Sequence, residues 1–219
     1  MTIAKASQSS TKPTAITPTF SAVATETSAR WPLYRFSVGK YQQLVQSGVF
    51  DEDDAFELLE GLVVPKMSKN PRHDSTIDRC DHWLSRIIPA TWYVRIQNSL
   101  VTSDSVPEPD LAIVPGEPDS YLERHPHGSE VALVVEVADT SLANDREKAR
   151  LYARAGVENY WIVNLVDNQV EVFTGAMCAE GDYRSRRVCC DTDEVAVTLP
   201  TGENISLAAA LLLPKRAAN

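Results

Sequence analysis

The segment Ala132-Leu133-Val134-Val135-Glu136-Val137-Ala138 is apolar at every position but one. A strand with one face in solvent would alternate apolar and polar residues, so the strand expected over Glu130 to Ala138 is an interior strand covered on both faces. A second apolar strand is expected over Asp110 to Val114. Along the sequence, one helical pattern precedes these strands and starts at Asn70-Pro71, and a second follows them and starts at Asn144 or Asp145. This order predicts a mixed α/β domain in which helices pack on a sheet.

The remaining elements are predicted from periodicity and from turn residues. A short helix is expected from Ser37 to Gly48 and a short C-terminal helix over Leu207 to Leu212. A strand or tight hairpin is expected over Phe56 to Pro65. Further strands are expected over Trp92 to Val101, Tyr160 to Val166 and Val170 to Thr174, with a strand pair around Gly181-Asp182.

The ends of the chain differ in composition from its centre. Residues 1–30 are rich in Ser, Thr and Ala and poor in large apolar residues. Such a segment cannot bury enough surface to offset its ordering entropy, so a disordered tail is expected there. The domain is expected over residues 31–213, followed by a short tail over 214–219.

Composition narrows the function classes. The net charge of −9 argues against broad electrostatic capture of nucleic acid, although a carboxylate site with a bound metal remains compatible with a nuclease. No apolar run reaches the roughly 20 residues of a membrane span, and no secretory signal is evident. The four cysteines lack the spacing of a zinc site and are expected to be reduced thiols in the cytoplasm. Neither G-x-G-x-x-G nor a Walker sequence is present.

Two carboxylates stand out because they lie in or beside apolar strands. Strand parity places Asp110 on one face with Ala112 and Val114, and Glu136 on one face with Val134 and Ala138. An ionised carboxylate in such surroundings is unfavourable unless it is paired or binds a metal. Pairing with an arginine or capping a helix is the alternative explanation for Glu136, and for Asp110 the alternative is that Pro-Asp is a common start of a strand.

Lys148 lies on the helix that follows Glu136. Its spacing to Tyr152 and Ala155 places it on the packing face of that helix. A lysine there must reach solvent or meet an anion, and Asp110 and Glu136 are the obvious partners. Two carboxylates and a lysine suit Mg²⁺, which takes one or two carboxylates and accepts phosphate oxygens.

Three arginines follow one another at helical spacing on the same predicted helix. Arg146, Arg150 and Arg154 lie at i, i+4 and i+8, where like charges repel slightly. The row is either a solvent face or a ridge that contacts phosphates, and the solvent face is the simpler interpretation.

Four stretches closely resemble the Uma family, long known as a domain of unknown function. They are Val134–Leu142, Asp145–Lys148, Leu151–Val157 and Tyr160–Val163. Less specific similarities lie upstream, and the resemblance covers about residues 35–212. The upstream stretches are Phe56–Gly61, Pro71–His73 and Pro107–Ala112.

This family resembles the PD-(D/E)XK restriction-endonuclease-like superfamily. The resemblance implies a central mixed sheet flanked by helices, Mg²⁺ (with Mn²⁺ as a substitute), DNA as substrate and a homodimer. The usual E-x-K is not intact, because Ala138 stands where lysine is expected, and the resemblance implies that Lys148 replaces it.

The resemblance also extends the set of candidate site residues. Glu57 would be a further acid that helps to bind the metal, unless it is a structural surface acid. His73 and Gln97 are candidate site-lining residues. Leu62 stands where relatives carry an acid, which weighs against a role for the nearby Glu60.

The leading hypothesis is a Mg²⁺-dependent DNA endonuclease in which Asp110 and Glu136 bind the metal, Glu57 assists, and Lys148 positions or activates the attacking water. A second hypothesis is a non-catalytic nucleic-acid-binding or interaction module on the same fold. A third is a metal-dependent hydrolase of a phosphoester other than nucleic acid.

Overall fold

A six-stranded mixed sheet forms the centre of the computed structural model, which describes residues 32–50, 55–66 and 70–215. The predicted tail over residues 1–30 and most of the predicted C-terminal tail lie outside the described residues, and the domain limits stay a prediction. The helices are α1 (Val38–Gln46), α2 (Pro71–Ile87) and α3 (Leu142–Arg154). The strands are β1 (Phe56–Leu59), β2 (Leu62–Pro65), β3 (Trp92–Ile96), β4 (Leu111–Pro115), β5 (Leu133–Ala138), β6 (Asn159–Asn164), β7 (Gln169–Met177), β8 (Asp182–Cys189), β9 (Glu194–Thr198) and β10 (Asn204–Ala208).

The strands of the central sheet follow the order β3-β4-β5-β6-β7-β8. Only β5 and β6 pair in parallel, and the other neighbours are antiparallel. Parallel neighbours need a crossover connection, which α3 provides. Two separate hairpins, β1–β2 and β9–β10, complete the strands of the described chain. The predicted α/β fold class with a central mixed sheet is therefore confirmed.

Each face of the sheet is covered by a different helix. All six residues of β5 are buried, as the prediction of an interior strand requires. On one face Val135 and Val137 pack with residues of α2, and on the other face Val134 and Ala138 pack with residues of α3. Ala112 and Val114 also belong to the α3 side, so the predicted sharing of strand faces is correct.

Several predicted boundaries are wrong. The helix predicted to begin at Asn144 or Asp145 begins at Leu142, and Asp145 is buried inside it and accepts a hydrogen bond from Ser141. Strand β3 ends at Ile96, because Gln97 has a φ of 51° that ends the extended ladder. Strand β5 starts at Leu133, since the preceding Gly128–Glu130 forms a 3-10 turn.

The prediction of a short C-terminal helix is wrong. A helix is expected over Leu207 to Leu212, but Leu207 and Ala208 are the last two residues of β10, and a 3-10 turn follows over Ala209–Leu211. A short apolar run fits a strand or a helix equally well, and pairing with β9 decides between them here. No helix in the described ranges combines the length and apolarity needed to cross a bilayer.

The hairpin at the N-terminal end of the domain is held by its turn. Strands β1 and β2 are joined by Glu60 and Gly61, whose φ angles are 49° and 79°. Two consecutive positive φ values are the requirement of a tight two-residue hairpin turn. This turn brings the hairpin against the segment before β4, where Gly61 N donates to Asp104 O at 2.9 Å.

Candidate active site

A cavity of about 490 Å³ lies between the β1–β2 hairpin, the start of β4, the middle of β5 and the first half of α3. All six residues predicted from the sequence line this cavity. They are Glu57, His73, Gln97, Asp110, Glu136 and Lys148.

Asp110 and Glu136 hold each other in place through the backbone. Asp110 directly precedes β4, which pairs with β5. Its amide donates to Glu136 Oε2 at 3.2 Å, while Val137 N, on β5, donates to Asp110 Oδ2 at 2.8 Å. The two carboxylates are therefore neighbours because the strand pairing makes them so.

Lys148 points from α3 toward β5, as its helical spacing predicts. Its Nζ lies 3.0 Å from Glu57 Oε1 and 3.4 Å from Glu136 Oε1, and its side chain is only 13% exposed. Of the two predicted partners it contacts Glu136, and the second contact is Glu57 on β1. Glu57 is 6% exposed, so it is not a surface acid.

His73 and Gln97 each contact Asp110. Helix α2 starts at Pro71 with Asn70 as its N-cap, which places His73 in the first turn. His73 Nε2 lies 3.2 Å from Asp110 Oδ2, and this hydrogen bond raises the pKa of His73 although burial opposes the rise. Gln97 N donates to Asp110 O at 2.9 Å.

Burial and the neighbouring charges shift the pKa values of the site residues. Burial raises the pKa of Glu136 to about 8, with the nearby Lys148 opposing and Asp110 adding to the rise. Burial also raises the pKa of Asp145 to about 6, against the hydrogen bond from Ser141. Burial by itself lowers the pKa of Lys148, but the surrounding carboxylates outweigh it and raise that pKa, so the side chain is an ammonium ion.

Two residues of this site were not identified from the sequence. Tyr152 was recognised only as a packing residue, yet its hydroxyl donates to Glu136 Oε1 at 2.9 Å. Asp145 was predicted as a helix cap, yet it is buried at the cavity wall. The position of Tyr152 four residues after Lys148 was the available signal for Tyr152, because both side chains must then point to the same side of α3.

The carboxylates of the cavity determine which cation would fit there. Carboxylate oxygens are the ligands that Mg²⁺ prefers, and it binds through one or two of them while keeping several waters. Asp110 and Glu136 provide such a pair. Over residues 32–50, 55–66 and 70–215, no three His, Cys, Asp or Glu side chains converge to hold an ion. The residues therefore fit a hydrated Mg²⁺ on two carboxylates and do not form an all-protein cage.

A match to a family model shows which family the chain belongs to. The family model Uma2, described as "putative restriction endonuclease", matches residues 38–210. The chain belongs to the Uma2 family. The resemblance noted from the sequence over about residues 35–212 is thereby confirmed, and family membership supports nuclease function in general.

A solved structure shows the same fold. A putative nuclease belonging to DUF820 from Anabaena variabilis aligns with a TM-score of 0.64 and 13% identical residues. The alignment covers 81% of this chain and 97% of that chain, and at this identity it bears on the fold alone. Among curated proteins, none matches the chain. The predicted restriction-endonuclease-like fold is confirmed.

Proposed function

We propose that this Uma2 protein is a Mg²⁺-dependent DNA endonuclease that hydrolyses phosphodiester bonds in the cavity described above. The observation that carries the proposal is the meeting of Lys148 with Glu136 and Glu57 beside Asp110, within one cavity. Family membership supports the reaction class. The geometry supports the choice of residues, because a buried ammonium and two neighbouring carboxylates suit a metal and a phosphate.

Asp110 and Glu136 would hold the Mg²⁺ ion. When bound, the ion lowers the pKa of a coordinated water and offsets charge on the phosphate. Lys148 is held as an ammonium by the acids around it, so it donates hydrogen bonds and does not accept a proton. Its role is to orient the attacking water or to neutralise a phosphate oxygen. Mn²⁺ should substitute for Mg²⁺, since both accept oxygen ligands.

The other site residues position this central group. Glu57 accepts from Lys148 and from Glu108 N, so strand β1 holds the lysine in addition to Glu136 on β5. A direct contact between Glu57 and the metal is a further part of the proposal. His73 donates to Asp110 and sets the orientation of that carboxylate, and Gln97 lines the same wall.

Cleavage of supercoiled plasmid DNA with Mg²⁺ tests the proposal. Asp110→Asn and Lys148→Met should each lower the cleavage rate by about 10²-fold or more, because each removes a group that stabilises developing charge. Asp119→Asn and Lys40→Met are matched controls at exposed positions outside the cavity. Cleavage that persists at the parent rate in both site variants would refute the assignment. Turnover of a small phosphoester without DNA cleavage would select a different hydrolase.

A non-catalytic module is the second candidate function. The observation in its favour is that Lys148 already lies against Glu57 and Glu136, in a chain of net charge −9. Titration calorimetry with Mg²⁺ and Mn²⁺ separates the two candidates. A folded parent protein that binds neither ion would favour the module, while binding that Asp110→Asn abolishes would favour the enzyme.

A homodimer in the cytoplasm completes the proposal. Two copies related by a twofold axis would place two sites for the two strands of a duplex. Cys80, Cys178, Cys189 and Cys190 are all free thiols, as expected in a reducing compartment. Light scattering after size-exclusion chromatography gives the mass directly, and a monomer at micromolar concentration would contradict the dimer.

A further inference from the structure

Three arginines converge on one residue at the turn of the β1–β2 hairpin. Arg154 Nη2 donates to Glu60 Oε1 at 2.6 Å, and Arg150 Nη2 donates to the same oxygen at 3.2 Å. Arg35 Nη1 donates to the backbone carbonyl of Glu60. We call Arg35, Arg150 and Arg154 the arginine cluster.

The arginine cluster lies at the edge of the candidate active site. Glu60 and Arg150 both line the cavity that contains Lys148. Glu60 follows Glu57 by three residues on the hairpin, and Arg150 follows Lys148 by two residues on α3. The same hairpin therefore supplies Glu57 and Glu60, and the same helix supplies Lys148, Arg150 and Arg154.

The structure holds the stems of these arginines in place. A Cβ atom at Gly181 would lie 3.0 Å from Arg154 Cγ and 3.2 Å from Arg150 Cγ, so the turn between β7 and β8 packs directly under both stems. Glu60 is fixed in turn, since its amide donates to the Oγ of the buried Ser105 at 2.8 Å. Arginines fixed in this way lose little further freedom on binding a ligand.

The positive charge exceeds what the neighbouring acids require. Glu60 is 32% exposed at its side chain, and Asp104, 3.9 Å from Arg154, is 50% exposed. Carboxylates with that much access to water do not need three guanidinium groups.

A second group of arginines in the protein shows the contrast. The side chain of Glu171 is 0% exposed and accepts hydrogen bonds from Arg146 and Arg186. Those two arginines neutralise a buried acid, which is a structural role. Arg146, the first arginine of the row at i, i+4 and i+8, therefore stabilises the fold. Arg150 and Arg154, the other two, pair with Glu60, a partly exposed acid at the cavity edge.

We infer that the arginine cluster binds the phosphate backbone of the nucleic acid strand that enters the cavity. The identity of the ligand rests on the proposed function. The cavity is lined by seven acidic side chains, two lysines and one arginine, so its inner surface repels a nucleic acid, which is a polyanion. Guanidinium groups bind phosphate oxygens through paired N–H donors. The side chains of Arg150 and Arg154, at the edge of the cavity, are exposed and can reach such a ligand. Such contacts position the strand without reading its sequence.

The test measures binding without cleavage. Fluorescence anisotropy in EDTA follows the binding of single- and double-stranded oligonucleotides of several sequences at increasing NaCl concentration. The variant is Arg150→Gln with Arg154→Gln. The matched control is Arg79→Gln with Arg86→Gln on α2, whose apolar residues pack on the opposite face of the sheet; neither arginine lines the cavity of the candidate active site. Circular dichroism and thermal unfolding check that each double variant is folded.

The expected result is weaker binding of all sequences by the Arg150/Arg154 variant alone. The slope of the logarithm of the association constant against the logarithm of the NaCl concentration should become shallower by about 1 to 2, which is about 1 for each lost phosphate contact. Equal affinity and equal slope in both double variants would overturn the inference and leave the parent's plasmid cleavage, and thus the proposed function, standing. If the variant loses affinity for inorganic phosphate but not for oligonucleotides, the ligand is a free anion and the inference is also overturned. A parent that binds DNA through these arginines but does not cleave it would support the inference while contradicting the proposed function.

Discussion

Lys148→Met removes the ammonium that Glu57 and Glu136 share and keeps an unbranched side chain of similar length. The two carboxylates are 6% and 4% exposed, so neither can be rehydrated without a local opening. Removing one partner of a buried ion pair typically costs about 3–5 kcal/mol, because the other charge is left uncompensated. We expect a loss of this size in the free energy of unfolding at pH 7.

Protonation makes this loss depend on pH. Burial raises the pKa of Glu136 to about 8 even with Lys148 opposing the rise. Removing Lys148 raises this pKa further, because an opposite charge is lost. Below about pH 8 the Glu136 carboxyl is protonated in both folded proteins, so it adds no difference in stability between them. Above that pH only the folded parent ionises, and the extra loss in the variant grows by about 1.4 kcal/mol per pH unit until the pKa of the variant is reached.

Urea unfolding of parent and variant at about pH 7 and about pH 9 measures the effect. Lys40→Met, at an exposed position on α1, is the control and should change stability by less than about 0.5 kcal/mol. Adding Glu136→Gln to Lys148→Met should remove the part of the loss that appears between about pH 7 and about pH 9. A loss that is equal at both pH values, or below about 1 kcal/mol at pH 7, would refute the view that Lys148 compensates buried carboxylates.

Three further changes test other parts of the structure. Tyr152→Phe removes a donor from buried Glu136 and should cost about 1–3 kcal/mol in urea unfolding, and a negligible loss would discount that hydrogen bond. Gly61→Ala puts a Cβ 2.7 Å from Arg35 Cβ at a φ of +79°, so stability should fall by about 1–3 kcal/mol, and an unchanged Tm would contradict the turn. Burial raises the pKa of Glu171, but hydrogen bonds from arginine and asparagine outweigh it and lower the pKa. The stability that this lowered pKa provides is present above about pH 4.3 and is lost as the pH falls. Glu171→Gln should therefore reduce the loss of stability at acidic pH, and an unchanged loss would contradict this role of Glu171.

Much of the fold follows from local pattern. The apolar run around Glu136 required an interior strand, and the helical spacing of Lys148 and Tyr152 required a shared face. Both expectations match the structure. All six candidate residues line one cavity. Strand parity and helix period fix the direction of Asp110, Glu136 and Lys148, while Glu57, His73 and Gln97 became candidates with the family resemblance. Their catalytic roles stay predictions.

Other features depended on contacts between distant parts of the chain. The segment Leu207 to Leu212 has no period long enough to distinguish strand from helix, and only its pairing with β9 makes its first part a strand. The i, i+4, i+8 spacing of Arg146, Arg150 and Arg154 was equally uninformative. The carboxylates that pair with them come from other elements, Glu171 on β7 and Glu60 on the β1–β2 turn.

The sequence by itself determined that Lys148 and Glu136 face one another, because they belong to consecutive elements of one βαβ unit with regular periods. It did not determine that Glu57 completes the contact. Glu57 lies 91 residues before Lys148, on a hairpin whose position depends on docking against the segment before β4. Local periodicity carries no information about such docking, so only the tertiary structure decided which carboxylate holds the lysine and where the arginine cluster lies.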